Sequence, residues 1–363
     1  MKELTQEYLI NGPNNIVRLT DGNKILYIFG DWHLNTDNQN ECAINDQHNS
    51  IDIDKLLFSF MKTEKNREFD LFIEMFEYLD PSLNTVKKKR YIDNVNKLFN
   101  SRIEFKDNKI LTLKPYLNFR FHYFDIRNLL LLSNELLWNY SYRNLIYPYS
   151  FENLNNILNF QIRLNILLNQ LLDYYNNSTD TIIQKIKIKY VNERIKEKIN
   201  LLFNELIINN IILTIKLNDK FIKLLKKSIE KINLNDKIDK IYMKIQSKIF
   251  IDLYNIKNNI SRIYLVTTDL NFLRRFLDKD YIKNTIIYTG LEHLSDITYI
   301  LIKNFNFKLT NIYYKSKEIN FDSINNNKNF EYIKELNIYF ENLDKNHNII
   351  QCSNLFNFPI NFS

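Results

Sequence analysis

Apolar positions along this chain fall into two rhythms, and the change of rhythm divides it. Residues 25–29, ILYIF, form a short continuous apolar run ending at Gly30, the pattern of a strand buried on both faces and stopped by a turn. Two similar runs follow: DLFIEMF at 70–76, carrying Glu74, and FRFHYFDI at 119–126, closed by Asp125 and Arg127. Between the first two, Ile53 to Met61 repeats apolar residues at helical spacing, and a helix is also expected from about Asn128 to Trp138. From Ser150 to Asn258 there is neither Gly nor Pro, and Leu, Ile, Asn and Lys recur at three- and four-residue intervals. That stretch predicts two to four long amphipathic helices, too irregular for a sustained coiled coil. The mixed rhythm then resumes. RIYLVTT at 262–268, NTIIYT at 284–289 and LTNIYY at 309–314 read as strands, with helices at 271–281 and 295–305 between them.

Strands alternating with helices predict an α/β fold with a mostly parallel sheet and crossover helices. The helical middle is then a long all-helical insertion. The expected organisation is 1–149 for the first part of the α/β domain, 150–258 for the insertion and 259–315 for the second part. The Asn-rich tail, 316–363, should pack on that domain through the amphipathic piece EYIKELNIYFENL.

Composition narrows the function classes. Hydrophobic residues make up 45% of the 363 residues, which points to a globular chain. A net charge of +7 is modest for this size and argues against a nucleic-acid binder. The richness in Asn, Ile and Lys and the four glycines indicate an AT-rich coding genome, such as that of a large DNA virus, a parasite or an amoeba. The two cysteines, Cys42 and Cys352, are far apart and suggest no disulfide framework. The start lacks the pattern of a signal peptide, and no run of 18 apolar residues suggests a membrane span. The expected setting is reducing and cytoplasmic: host cytoplasm, or the virion for a viral protein.

Glycine gives the sharpest clue. Two of the four glycines stand three residues before two of the five histidines, in Gly30-Asp31-Trp32-His33 and Gly290-Leu291-Glu292-His293, and each closes an apolar strand-like run. Chance gives such a double match a probability on the order of 10⁻³. Ligands of parallel sheets bind at the carboxyl ends of the strands. That rule would bring His33, His293, Glu74, Asp125 and Arg127 to one edge. Imidazoles with carboxylates can hold a divalent metal or activate water by general base catalysis. Asp31 is equally a capping residue, Asp125 and Arg127 equally a structural ion pair, and Glu292 a cap or a solvated charge. Trp32 either walls the pocket or packs in the core. His122, Tyr264 and Tyr288 read as core, and His48 and His347 as surface. Thr267, Thr268 and Asp269 either line the predicted edge or cap a helix. The basic run Lys87 to Arg90 reads as a solvated helix face.

The order strand-GxxH, strand-Glu, long variable region, strand-GxxH resembles the superfamily of TIKI proteases, TraB/PrgY proteins, ChaN-like proteins and erythromycin esterases. The likeness covers residues 20–140 and 260–315. It implies an α/β fold with a helical insertion and site residues His33, Glu74 and His293, with a weaker match at Asp125 and Arg127. It departs at Asp31, where many relatives carry Glu. By this likeness the protein would be a hydrolase of ester, amide or peptide bonds. His33, His293 and Glu74 or Asp31 would hold a Mn, Co, Zn or Fe ion, or one histidine oriented by Glu74 would act as a metal-free base, with Arg127 stabilising an oxyanion. The alternatives are a metal- or haem-binding protein without turnover, haem ranking below a simple ion, and an interaction or virion protein on a decayed enzyme fold. The expected substrate is a small molecule or peptide, with the helical insertion as the surface for any protein partner.

Overall fold

The computed structural model describes residues 9–33, 50–75, 90–106, 109–132, 151–177, 179–233, 238–313 and 352–355, with positions 36, 42, 136, 358, 359 and 362. His48, His347, Lys87–Lys89 and the tail piece at 331–343 lie outside them. The chain divides into two compact units, Met1–Asp125 with Lys279–Ser363, and Ile126–Asp278.

The first unit is built on a six-stranded sheet. Its strands are β2 (Asn15–Thr20), β3 (Ile25–Asp31), β5 (Phe69–Ile73), β8 (Phe119–Tyr123), β9 (Asn284–Gly290) and β10 (Lys308–Tyr313), in the order β10-β2-β3-β9-β5-β8. Smaller pieces flank it: a sheet of β1 (Leu9–Asn11), β4 (Ser50–Asp52) and β11 (Cys352–Asn354), and a hairpin of β6 (Ile103–Lys106) and β7 (Lys109–Thr112). The expected α/β class holds, but the main sheet is mixed. The strands β3, β9, β5 and β8 run parallel, whereas β2 pairs antiparallel with both β3 and β10. The cause is local. NIVRLT and ILYIFG are joined by Asp21-Gly22, where Asp21 Oδ1 accepts the backbone N–H groups of Asn23 and Lys24 and Gly22 takes φ +93°. Asp-Gly between apolar runs is a strong hairpin signal, and it makes β2 an antiparallel neighbour.

Both faces of the sheet are covered. Tyr27, Phe29, Phe69, Leu71, Phe119, Phe121 and Tyr288 join one apolar cluster with α1 (Ile53–Thr63) and α2 (Tyr91–Asn100). Helix α1 buries Ile53, Leu56, Leu57, Phe60 and Met61, a single stripe at three- and four-residue spacing. Helix α8 (Leu291–Phe305) covers the other face at β3 and ends at Asn306, left-handed at φ 60°.

The second unit is helical: α3 (Phe151–Asn177), α4 (Thr181–Lys187), α5 (Glu193–Phe203), a π turn at Asn204–Ile208, α6 (Asn209–Asn233) and α7 (Ile238–Asp278). Asp180 and Asn192 cap α4 and α5 by accepting backbone N–H groups. The unit reaches past both ends of the expected 150–258 insertion. The expected strand RIYLVTT lies inside α7, with Ile263, Tyr264, Val266 and Thr267 all buried. A short run buried on every side looks alike in a strand and a core helix, so the apolar pattern alone misassigned it. Thr267 and Thr268 are therefore interior to a helix, where the Thr267 hydroxyl bonds the Ile263 carbonyl and the Tyr175 hydroxyl. Of the helix expected at 128–138, the described part is a 3₁₀ turn, Arg127–Leu129. Among the described residues one stretch, Glu193–Glu230, is long and apolar enough to cross a membrane by length and composition. It is the α5–α6 segment of this unit.

The cysteines also differ from expectation. Cys42 and Cys352 form a disulfide with Cα atoms 5.1 Å apart. Cys352 stands opposite Asn11 in the β1–β11 ladder, and the Asn11 side chain accepts the Cys42 N–H at 3.2 Å. Separation in sequence says nothing about separation in a folded sheet, which is why the pairing was not foreseen.

Candidate functional site

Four parallel strands present their carboxyl ends at one edge. In register, Asp31 stands opposite Gly290, and Ile73 opposite both Tyr288 and Tyr123. His33 follows β3, Glu74 follows β5, Asp125 follows β8, and His293 sits in the first turn of α8 after β9.

The two Gly-x-x-His turns pack into each other. A Cβ on Gly30 would lie 2.7 Å from the side chains of Leu291 and Leu294, so the first glycine admits the helix carrying the second histidine. A Cβ on Gly290 would lie 3.0 Å from His33 Nε2 and 3.2 Å from Glu74 Oε2, so the second glycine admits the first histidine and the glutamate. Each motif clears space for the other, which accounts for glycine surviving at both places in so glycine-poor a chain.

Glu74 is the hub. Its Oε2 accepts the Gly290 N–H at 2.6 Å and the Thr289 hydroxyl at 2.9 Å, with His33 Nε2 at 3.3 Å. Its Oε1 lies 3.2 Å from His293 Nε2. Burial alone would raise the Glu74 pKa, but the charges and hydrogen bonds of His293 and His33 hold it well below the ordinary value. Burial likewise opposes charge on His33, yet Glu74 and Asp31 outweigh it and lift its pKa to about 10. His33 keeps 27% of its side-chain surface exposed and His293 only 2%, so His33 is the member that meets solvent.

Asp31 bonds the His33 backbone and faces its ring. Its Oδ1 accepts the His33 backbone N–H at 2.8 Å, and its Oδ2 lies 3.6 Å from His33 Nδ1. The first bond is a carboxylate reaching a backbone two residues on. It holds His33 at φ 56°, a conformation that costs a non-glycine residue about 1 kcal/mol. Asp31 is thus a turn residue that also faces the imidazole. Tyr288 donates to Asp31 Oδ2 at 2.7 Å. The hydroxyls of Tyr288 and Thr289 both belong to the cluster, and the apolar pattern of β9 concealed them. The clue was positional, since both stand beside the Gly290 motif at a strand end.

Asp125 is buried two residues past β8, while Arg127 begins the 3₁₀ turn of the helical unit. Glu292 is exposed in the first turn of α8. His122 is a paired core histidine, with Nε2 2.7 Å from Asp70 Oδ1 and Arg120 bonded to the same carboxylate. Tyr264 is a core residue of α7, and Asp269 lies buried in the same helix.

Two imidazoles and a carboxylate are a donor set suited to Zn, Fe, Mn or Co. Asp31 beside His33 Nδ1, and Thr289 with Gly290 on Glu74, are the outer contacts that orient ligands of this type. Among the described residues, no three His, Cys, Asp or Glu side chains are placed as a group that could hold a metal ion.

The chain belongs to the family of unknown function DUF5847, which matches residues 8–136 and 151–363. It is similar to three uncharacterized proteins of Acanthamoeba polyphaga mimivirus. R160 is 31% identical, over 97% of each chain. R161 is 29% identical over 97% of this chain and 98% of the relative, and R706 is 29% identical over 84% and 86%. These relatives agree with the viral source among those expected from composition. No solved structure matches the chain.

Proposed function

We propose that this member of the DUF5847 family is a hydrolase of ester, amide or peptide bonds whose centre, His33, Glu74 and His293, holds a divalent metal ion. The observation that carries the reading is the convergence of two imidazole Nε2 atoms on one buried carboxylate, at 3.3 Å and 3.2 Å. Ligand atoms about 2.1 Å from a tetrahedral ion stand about 3.4 Å from one another, and each imidazole is near that distance from its own oxygen of Glu74, His33 from Oε2 and His293 from Oε1. An ion held there would supply the Lewis acidity that hydrolysis needs.

The protein's own groups do the rest. Glu74 stays ionised, fixed by the Gly290 N–H and the Thr289 hydroxyl. Asp31 bonds the His33 backbone N–H and places a negative charge on the Nδ1 side of the ring. His33 offers the open side, and buried His293 closes the other and keeps bulk water from Glu74. Asp125 and Arg127 take no part in this reading. The viral relatives support a setting in the host cytoplasm or the virion.

The reading is tested by assaying chromogenic ester, amide and peptide panels with protein reconstituted with each of Zn, Mn, Co and Fe. Hydrolysis by the wild type, lost in His33→Ala and His293→Ala, is the expected result. Equal rates in wild type and variants would remove it. The number of donors already on Glu74 Oε2 favours one second reading, a bound ion without turnover. That reading predicts metal in the wild type and no hydrolysis of any panel. A Soret band after growth with haem would point to haem instead.

A further inference from the structure

We infer that Tyr288 is a positioning residue for His33, acting through Asp31 to hold the imidazole with Nε2 facing Glu74. The inference rests on the reading of His33 as a site residue. Tyr288 lies on β9 and faces the apolar cluster under α1 and α2, away from Thr289 and Glu74. Its ring packs as a core residue, and phenylalanine would fill the same volume. The hydroxyl needs its own explanation, since a buried hydroxyl without a hydrogen bond is costly. It donates to Asp31 Oδ2 at 2.7 Å, and both residues are 1% exposed. A Cβ on Gly12, where φ is +123°, would come within 3.0 Å of the same hydroxyl, so the chain closes tightly over this bond. Asp31 in turn bonds the His33 backbone and faces its Nδ1.

The order is therefore Tyr288, Asp31, His33, Glu74. Without the Tyr288 hydroxyl, the Asp31 carboxylate loses the donor on its Oδ2 and keeps the His33 N–H on its Oδ1. Its Oδ2 can then turn from His33 Nδ1, and the ring loses the charge it faces. Outer contacts of this type change metal affinity about 10–100-fold when removed.

The test is histidine-selective ¹⁵N NMR of the full chain, wild type beside Tyr288→Phe. Each histidine is assigned by its own Gln variant. The His33 ring-nitrogen signals should shift in Tyr288→Phe, while those of His293 and His122 stay in place and report an intact fold. Unmoved His33 signals would overturn the inference. If Tyr288→Phe fails to fold, fluorotyrosine at position 288 keeps the ring and changes only the donor, and the same signals decide. A parallel zinc titration should show affinity about 10–100-fold weaker in Tyr288→Phe. A wild type that takes up no ion would overturn the metal centre, and the His33 signals would still decide the role of Tyr288.

Discussion

A carboxylate as buried as Glu74 survives because the Gly290 N–H, the Thr289 hydroxyl and two imidazoles surround it, and its removal is the sharpest test of that statement. Glu74→Ala leaves His33 and His293 facing each other without the anion between them. Removing one partner of a buried charged pair costs about 3–5 kcal/mol, and urea denaturation should show a loss of that size. A loss below about 1 kcal/mol would mean the cluster does not hold the edge together. The two glycines should separate stability from site chemistry. Gly30→Ala drives a methyl to 2.7 Å from Leu291 and Leu294, an overpacking of about 1–3 kcal/mol seen as a lower Tm. Gly290→Ala meets His33 and Glu74 instead, at 3.0 Å and 3.2 Å. It should perturb the His33 environment with less effect on Tm. At this scale the Gly-x-x-His pair was legible in the sequence because glycine is so scarce. Tyr288 and Thr289 were not, because a hydroxyl on a buried strand looks like any other core residue until its partner from another strand is known.

At the scale of elements, β3, β9, β5 and α8 make the site, and each was legible from a short apolar run or a helical stripe. What the pattern missed was pairing. The Asp21-Gly22 turn makes β2 antiparallel, and the uniform burial of residues 263–267 hid a helix behind a strand-like run. The β5–β8 pair carries a second charged group that can be tested by pH. Asp70 is buried; desolvation would raise its pKa, but hydrogen bonds from Arg120 and His122 hold it below the ordinary carboxylate value. A carboxylate depressed in the folded state stabilises above its unfolded pKa of about 4 and loses that contribution as pH falls through its folded value. Acid unfolding should therefore steepen below about pH 4. Asp70→Asn should be less stable at neutral pH and flatten that acid limb. Parallel acid profiles for the two proteins would show that Asp70 carries no such linkage.

At the scale of the whole molecule, the chain is an α/β unit interrupted by a helical one, an arrangement legible from the loss of Gly and Pro between residues 150 and 258. The limits of the interruption were not, because α7 continues to Asp278 without a break in its apolar content. The link between Cys42 and Cys352 joins segments 310 residues apart. Peptide mapping of unreduced protein should recover the two cysteines in one cross-linked peptide, and two freely alkylated thiols would contradict the pairing. All of the site residues except Arg127 belong to the α/β unit, so the central claim concerns that unit's sheet edge alone. The most direct measurement is elemental analysis of purified protein after reconstitution, wild type beside a His33→Ala, His293→Ala double variant. One equivalent of a divalent metal in the wild type, absent from the variant, is the result expected of a shared centre. A wild type that holds no metal, or a variant that retains it, would contradict the account.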